Sequence, residues 1–379
     1  MTTQGKQTRL LLVTDFFYPH WTGISKSVFS LTKSLQEKFA ITVLTVRFDK
    51  RLAKQETKES IQIIRSDYLF TISRSRYSLS ILWDFLKTIT QTDVVFINSP
   101  SANIVFFALF AKLFGKKLLI FHQGDLILPP GLVNSIIEKI FDLSCFFSFL
   151  LADKVSSYTS DYAHHSRVLK PFLKKFTPVL LPVVLQGKGE SGPLETIEKL
   201  HKEKKIIFGF AGRFVEEKGF DILFRAIPQI LEKLPNAHFV IAGQEMSYED
   251  FFGRNKNLFE QVKKHLTFLG LLDDSDLKSF YSGIDAIVVP SRSDCFNLVQ
   301  AEAMLCGTPA LVSNIPGLRY LIKESGFGLI FETESSEALA QATIMFVTKK
   351  PEIMKNEKKL QALLEMPKLV LKAEEFIAK

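Results

Sequence analysis

Residues 206–223 read IIFGFAGRFVEEKGFDIL, and this stretch decides the fold. It opens with an apolar run that lacks polar alternation, as expected of a strand covered on both faces. Gly219 ends the loop that follows, and a helix is expected to start near Phe220. Strand, loop and helix are the repeating parts of a parallel sheet, and the same alternation runs along the rest of the chain. Before this stretch the apolar runs are RLLLVTDF, ITVLTV, IQIIRS, DVVFIN, KLLIFHQGD, DKVSSYT and PVLLPVV. After it they are HFVIAGQ, LTFLGLL, DAIVVPS, PALVSN and GLIFET. Between the two sets, QGKGESGPLETIEKLHKEKK reads as a linker and a polar helix. The expectation is an α/β protein of two doubly wound, Rossmann-like parallel-sheet domains facing across a cleft, with about seven and six strands. The first domain is expected over 1–185 and the second over 186–365. The amphipathic terminal helix, 366–379, is assigned to the first.

Composition fits this division. The 379 residues are too many for one ordinary core, and 46% of them are hydrophobic. Lys plus Arg outnumber Asp plus Glu 48 to 40, which favours anionic partners such as nucleotides, phosphates or acidic lipid. Nucleic acid is disfavoured, because neither a basic-aromatic face nor a recognition motif stands out. Cys145, Cys295 and Cys306 lack metal-ligand spacing and make no even-numbered disulfide framework, so a reducing compartment, the cytoplasm, is expected. MTTQGKQTRLLLVTDF reads as a first strand rather than a signal peptide. No run approaches the roughly 20 apolar residues of a membrane span.

In sheets of this kind ligands sit in the loops after strands, near helix N-termini. Arg213 lies at such a strand end, with Lys218 and Gly219 following before a helix. A planar guanidinium, a compact ammonium and free helix amides suit a diphosphate, although the same charges could pair with Glu216 and Glu217. A second stretch, SRSDCFNLVQAEAMLCGTP at 291–309, places Asp294 and Glu302 in an apolar setting after the strand DAIVVPS. A helix is expected from Asn297 or Leu298 to just before Gly307, with Asp294 in the loop and Glu302 more than a turn inside. Paired carboxylates of this kind accept hydrogen bonds from vicinal diols. A helix N-cap for Asp294, and a buried ion pair for Glu302, are the structural alternatives.

GRFVEEKGFDIL resembles the G-R-x-x-x-x-K-G segment of retaining glycosyltransferases of family four, and 291–309 resembles their E-x-F-G-x-x-x-x-E-A-M-A-x-G-x-P block. The resemblance covers essentially the whole chain and implies the GT-B fold, with sugar transfer from a nucleotide-sugar donor and retention of anomeric configuration. It implies that Arg213 and Lys218 hold the diphosphate and that Asp294 contacts the transferred sugar. Glu302 would hold the ribose, and the amides of Phe296, Asn297 and Leu298 would face sugar and phosphate. TDFFYPHWTGISKSV resembles the P-x-x-G-G loop, which by that resemblance approaches the donor diphosphate, with Pro19 and Gly23 matching and Thr22 in place of the first Gly. LLIFHQGDL places His122 and Asp125 where family members carry an acceptor-side His. No metal or other cofactor is expected. Two departures stand in the second block. Asp294 replaces Glu, which shortens the side chain, and Asn297 replaces Gly, tolerable among chiral residues should that position need φ > 0. They leave open a catalytically weak nucleotide-sugar-binding protein; a nucleotide-sugar epimerase, which shares the two-domain architecture, is a further reading. Finally, IIEKIFDLSCFFSFLLADK mixes Phe-rich and charged positions. It reads first as a buried domain helix. Lipid-acceptor relatives use basic and apolar helices on the first domain, so peripheral contact with the inner face of the cell membrane is the second reading.

Overall fold

The computed structural model describes residues 7–72, 75–129, 131–185, 194–244 and 251–378. The linker expected at 186–193 lies outside them. The chain divides into two compact units, Met1–Pro182 with Met366–Lys379, and Val183–Glu365.

The first unit is built on β1 (Thr8–Val13), β2 (Phe39–Val46), β3 (Gln55–Lys58) and β4 (Ile61–Ser66). A separate hairpin, β5 (Phe70–Ile72) and β6 (Ser75–Tyr77), follows. The sheet continues with β7 (Val94–Ser99), β8 (Lys117–His122), β9 (Lys154–Ser157) and β10 (Phe176–Pro178). Among the described residues the strand order is β10-β9-β8-β7-β1-β2-β4-β3, parallel except where β3 pairs antiparallel with β4. The helices Ser80–Ile89, Ile104–Leu113 and Leu132–Leu151 cover one face, where Phe85, Phe107 and Phe149 meet the inward side chains of β1, β7 and β8. On the other face the terminal helix Met366–Ala378 brings Phe376 against Phe96, and Lys38 pairs with Glu374.

Two expectations need correction here. PVLLPVV does not run as a strand over 178–184: pairing ends at Pro178, a last bond from Val179 N to Ser157 O closes it at 2.9 Å, and Leu180 and Leu181 are buried beyond it. The segment expected as a buried domain helix is the 20-residue helix Leu132–Leu151, but it buries only Cys145, Ser148 and Phe149.

The second unit contains β11 (Ile206–Ala211), β12 (Ala237–Ala242), β13 (Leu266–Gly270), β14 (Ala286–Val289), β15 (Ala310–Ser313) and β16 (Gly328–Phe331). Its order is β13-β12-β11-β14-β15-β16, all parallel. This is the Rossmann order, in which direction of winding reverses between the first and fourth strands. The reversal falls between β11 and β14, the two strands that lead into the Arg213 and Asp294 loops. In the first unit the corresponding reversal falls between β1 and β7.

Candidate functional site

The loop after β11 is pinned before it reaches its charges. Phe214 is buried and its ring lies 4.6 Å from that of Phe220, while its amide donates to Gln244 O at 3.0 Å. A short 3-10 turn, Glu216–Lys218, then hands over to Gly219 in the left-handed region (φ +69°), which starts the helix Phe220–Lys233. A Cβ at Gly219 would stand 2.0 Å from the Pro290 carbonyl oxygen, so glycine is required by both φ and space. Pro290 follows β14, and the two loops are stitched further by Arg292, whose amide donates to Glu217 O at 2.8 Å. A Cβ at Gly317 would meet the Asp294 carbonyl at 1.9 Å, which fixes the far side of the Asp294 loop as well.

This stitching brings Lys218 to Asp294 across 76 residues of sequence. The ammonium donates to both carboxylate oxygens, at 2.8 and 3.0 Å, and the two side chains are only 17% and 14% exposed. Arg213 pairs with Glu217 at 2.8 Å, more openly, at 41% and 29% exposure. Of the pairings with Glu216 and Glu217 considered from sequence, Arg213 takes Glu217, whereas Lys218 pairs with Asp294, a partner not considered there.

The helix Leu298–Leu305 begins where expected, but its N-cap is Asn297, not Asp294. Asn297 has φ −98°, so no left-handed backbone is needed at this position. The asparagine side chain has two other tasks: Oδ1 accepts from Gln300 N at 2.9 Å, and Nδ2 donates to Asp294 Oδ2 at 2.9 Å. Phe296 is buried, and the amide of Leu298 lies in the first turn with the positive end of the helix dipole. Burial pushes the neighbouring Cys295 thiol up to about 12, with the Asp294 charge adding to it, so it stays protonated. Glu302 is buried at 5% exposure, and the Tyr281 hydroxyl donates to its Oε2 at 3.0 Å. Burial and the Glu302 charge hold the Tyr281 hydroxyl well above its usual pKa, so it remains a donor. Tyr281 was not singled out from sequence. It sits on a different helix, 21 residues away, and nothing local marks it.

In the first unit Thr22 occupies the place of the first family glycine and caps the helix Gly23–Leu35 through a reciprocal bond pair with Ser25. Gly23 thus becomes the first helical residue. His122 ends β8 and is 1% exposed. Both ring nitrogens are engaged inside the unit, Nδ1 with Ser99 Oγ at 3.0 Å and Nε2 with Asp125 Oδ1 at 3.0 Å. Asp125 also accepts from Ser166 Oγ at 2.6 Å and Arg167 N at 2.7 Å. Burial pushes its carboxyl up, but the bonds from His122, Ser166 and Arg167 bring it below the usual range. A direct contact from His122 to a ligand would break one of its two bonds.

A further carboxylate emerges at the reversal point of this sheet. Asp15, just after β1, is buried at 8% exposure and accepts from Ser101 Oγ at 2.7 Å, two residues past β7. Burial raises its pKa to about 6, against the pull of the Ser101 bond. It was not singled out from sequence, and its partner Ser101 lies 86 residues away.

With this geometry in view, residues 194–362 match the family model of glycosyl transferases group 1. An uncharacterized glycosyltransferase of Methanocaldococcus jannaschii is 36% identical over 140 residues, 36% of this chain and 34% of that one. The alignment thus spans about a third of that relative's length. Sucrose-phosphate synthase from Thermosynechococcus elongatus superposes with a TM-score of 0.74 at 17% identity, over 97% of this chain and 98% of the other. HepE of Anabaena, solved in complex with UDP-glucose, gives 0.72 at 15% identity over 98% and 100%. The two units have the GT-B fold, and residues 194–362, within the second of them, are similar to the glycosyl transferases group 1.

Proposed function

We propose that the protein moves a hexose-type sugar from a nucleotide-sugar donor to a sugar, lipid-linked or small-molecule acceptor, with retention of anomeric configuration. The observation that carries this reading is one cluster within the second unit. The cations Arg213 and Lys218 and the carboxylates Asp294 and Glu302 lie on the elements that follow β11 and β14, beside two helix N-termini. Diphosphate suits the cations and amides, and sugar and ribose hydroxyls suit the carboxylates. Donor binding offers Lys218 a phosphate in exchange for Asp294, which frees that carboxylate to accept from the sugar. The relative solved with UDP-glucose supports a donor of this class.

In the transfer step the bond between the anomeric carbon and the diphosphate oxygen breaks, and the acceptor oxygen bonds to the same face. The acceptor proton goes to the departing phosphate, so no protein base is required. Negative charge grows on that phosphate, where Arg213, Lys218 and the amides at Asn297 and Leu298 stabilise it. This neutralisation serves in place of a divalent cation. The acceptor is assigned to the first unit, where Asp15 and the His122–Asp125 pair follow β1 and β8, while Gly23 is assigned to the donor diphosphate.

A thermal-shift screen with UDP-, GDP- and ADP-sugars tests the donor. At a hundred times Kd a ligand that binds only the folded state adds about 2.7 kcal/mol, a rise of several degrees. Transfer products analysed by NMR then report the anomeric configuration. Absence of any shift together with absence of any transfer would sink the reading, and an inverted product would sink retention.

A further inference from the structure

We infer that the outer face of the helices Ile104–Leu113 and Leu132–Leu151 docks on an anionic lipid surface, with the longer helix lying in the plane of the headgroups. The inference does not rest on the transfer reading.

On the longer helix Leu132, Ile136, Ile140, Leu143, Phe147 and Leu150 are all exposed, Leu132 by 80% and Ile140 by 61%. Their steps of four, four, three, four and three trace one stripe along a helix of 20 residues, about 30 Å long. Soluble surfaces expose single apolar side chains freely, but a stripe of this length marks an interaction site. The adjacent helix adds Leu109 and Leu113, and Trp83 on the preceding helix is 62% exposed.

Charge selects the occupant. The charged residue on the stripe is Lys139. The two carboxylates of the helix are engaged to its side: Glu138 accepts from Leu128 N at 2.6 Å, and Asp142 pairs with Arg167 at 2.9 Å. The whole first unit carries 26 Lys and Arg against 15 Asp and Glu, whereas the second carries 22 against 25. The basic excess of the chain therefore sits entirely on the unit that exposes the stripe. A second copy seated on this face would bring two strongly positive units together, while acidic headgroups complement them. Among the described residues no helix is long and apolar enough to cross a membrane. Glu138, Lys139 and Asp142 interrupt this one, which suits a helix that lies on the surface rather than one that spans it.

The test uses the full chain with vesicles of phosphatidylcholine alone or mixed with phosphatidylglycerol, sedimented at low and high salt. Partition onto the mixed vesicles is expected to fall at least about tenfold in neutral vesicles or at high salt. The triple variant Ile140→Ser, Leu143→Ser, Phe147→Ser changes only exposed side chains and should lose roughly a hundredfold. Leu371→Ser, at an exposed position on the terminal helix, should bind like the parent. Circular dichroism and the donor thermal shift report whether each variant is folded. No partition of the parent, or equal partition of a folded triple variant, overturns the inference. So does light scattering that shows a dimer broken by the triple variant without any vesicle binding.

Discussion

The two units use their polar residues in opposite ways. In the second, Lys218 and Asp294 satisfy each other near the surface, at 17% and 14% exposure, and Arg213 holds Glu217 more openly. These partners can be exchanged for a ligand's, because water and ligand reach them. In the first, His122 at 1% exposure is tied on both sides, to Ser99 and to Asp125. That arrangement builds a scaffold, and replacing one of its bonds leaves a buried group unpaired. A polar residue at a strand end is thus a candidate ligand contact only if its present partner can leave.

The sharpest way to break this contrast is Arg213→Ala. If the guanidinium serves the departing diphosphate, turnover should fall by about 10²–10³. Its exposed pair with Glu217 contributes at most about 1 kcal/mol, so Tm should hardly move. A variant that keeps near-normal transfer, or one that loses Tm in proportion to its activity, would remove Arg213 from the site. Gly219→Ala attacks the same loop through its backbone. A Cβ at φ +69° that also meets Pro290 O at 2.0 Å should cost about 2–4 kcal/mol and pull Lys218 away from Asp294. Urea denaturation reads the first effect and donor affinity the second, and a neutral outcome would mean the two loops are not stitched.

The same contrast governs what the sequence disclosed. Among the described residues all six strands of the second unit stand on the apolar runs read for them: all are parallel, and the inner four are buried along most of their length. The edge strand Gln55–Lys58 escaped notice because it is polar and pairs on one side only, antiparallel to β4. At 179–181 the apolar run was real but its use was misread: the strand pairing stops at its start, and Val179 and Leu181 are buried beside Ala373 and Phe376. In the site, Arg213, Lys218, Asp294 and Glu302 belong to two contiguous motifs and were legible as such. Asp15–Ser101 and Tyr281–Glu302 join residues far apart in sequence, so no local pattern could show them. Asn297 was read as a tolerated replacement for Gly should the position need φ > 0, whereas it has φ −98° and is a cap that also bonds Asp294.

Asp15 sharpens the comparison from the side of the first unit. Its folded pKa, about 6, lies above the ordinary 3.8 of an aspartic acid, so the fold prefers the protonated carboxyl. The corresponding stability is fully present below about pH 4 and is lost as pH rises through 6, on the order of 3 kcal/mol in all. Asp15→Asn stays neutral throughout. Its Tm relative to the parent should therefore climb between pH 4 and 7 by roughly 5 °C or more. A difference that is flat across this range would place Asp15 in contact with water and remove it from the buried reversal point.

The smallest effect expected is also the most specific. Tyr281→Phe leaves volume and burial intact and deletes one hydroxyl, the donor to Glu302 Oε2. Glu302 would keep its charge but lose part of its fixed orientation, so donor affinity should weaken by about five- to tenfold, roughly 1 kcal/mol. Tyr281 does not touch the reacting atoms in this arrangement, and so kcat at saturating donor should stay within about twofold. A rise in the donor KM alone is what a positioning residue predicts. If kcat falls while KM holds, Glu302 acts on the transfer step itself, and its assignment to the ribose is wrong.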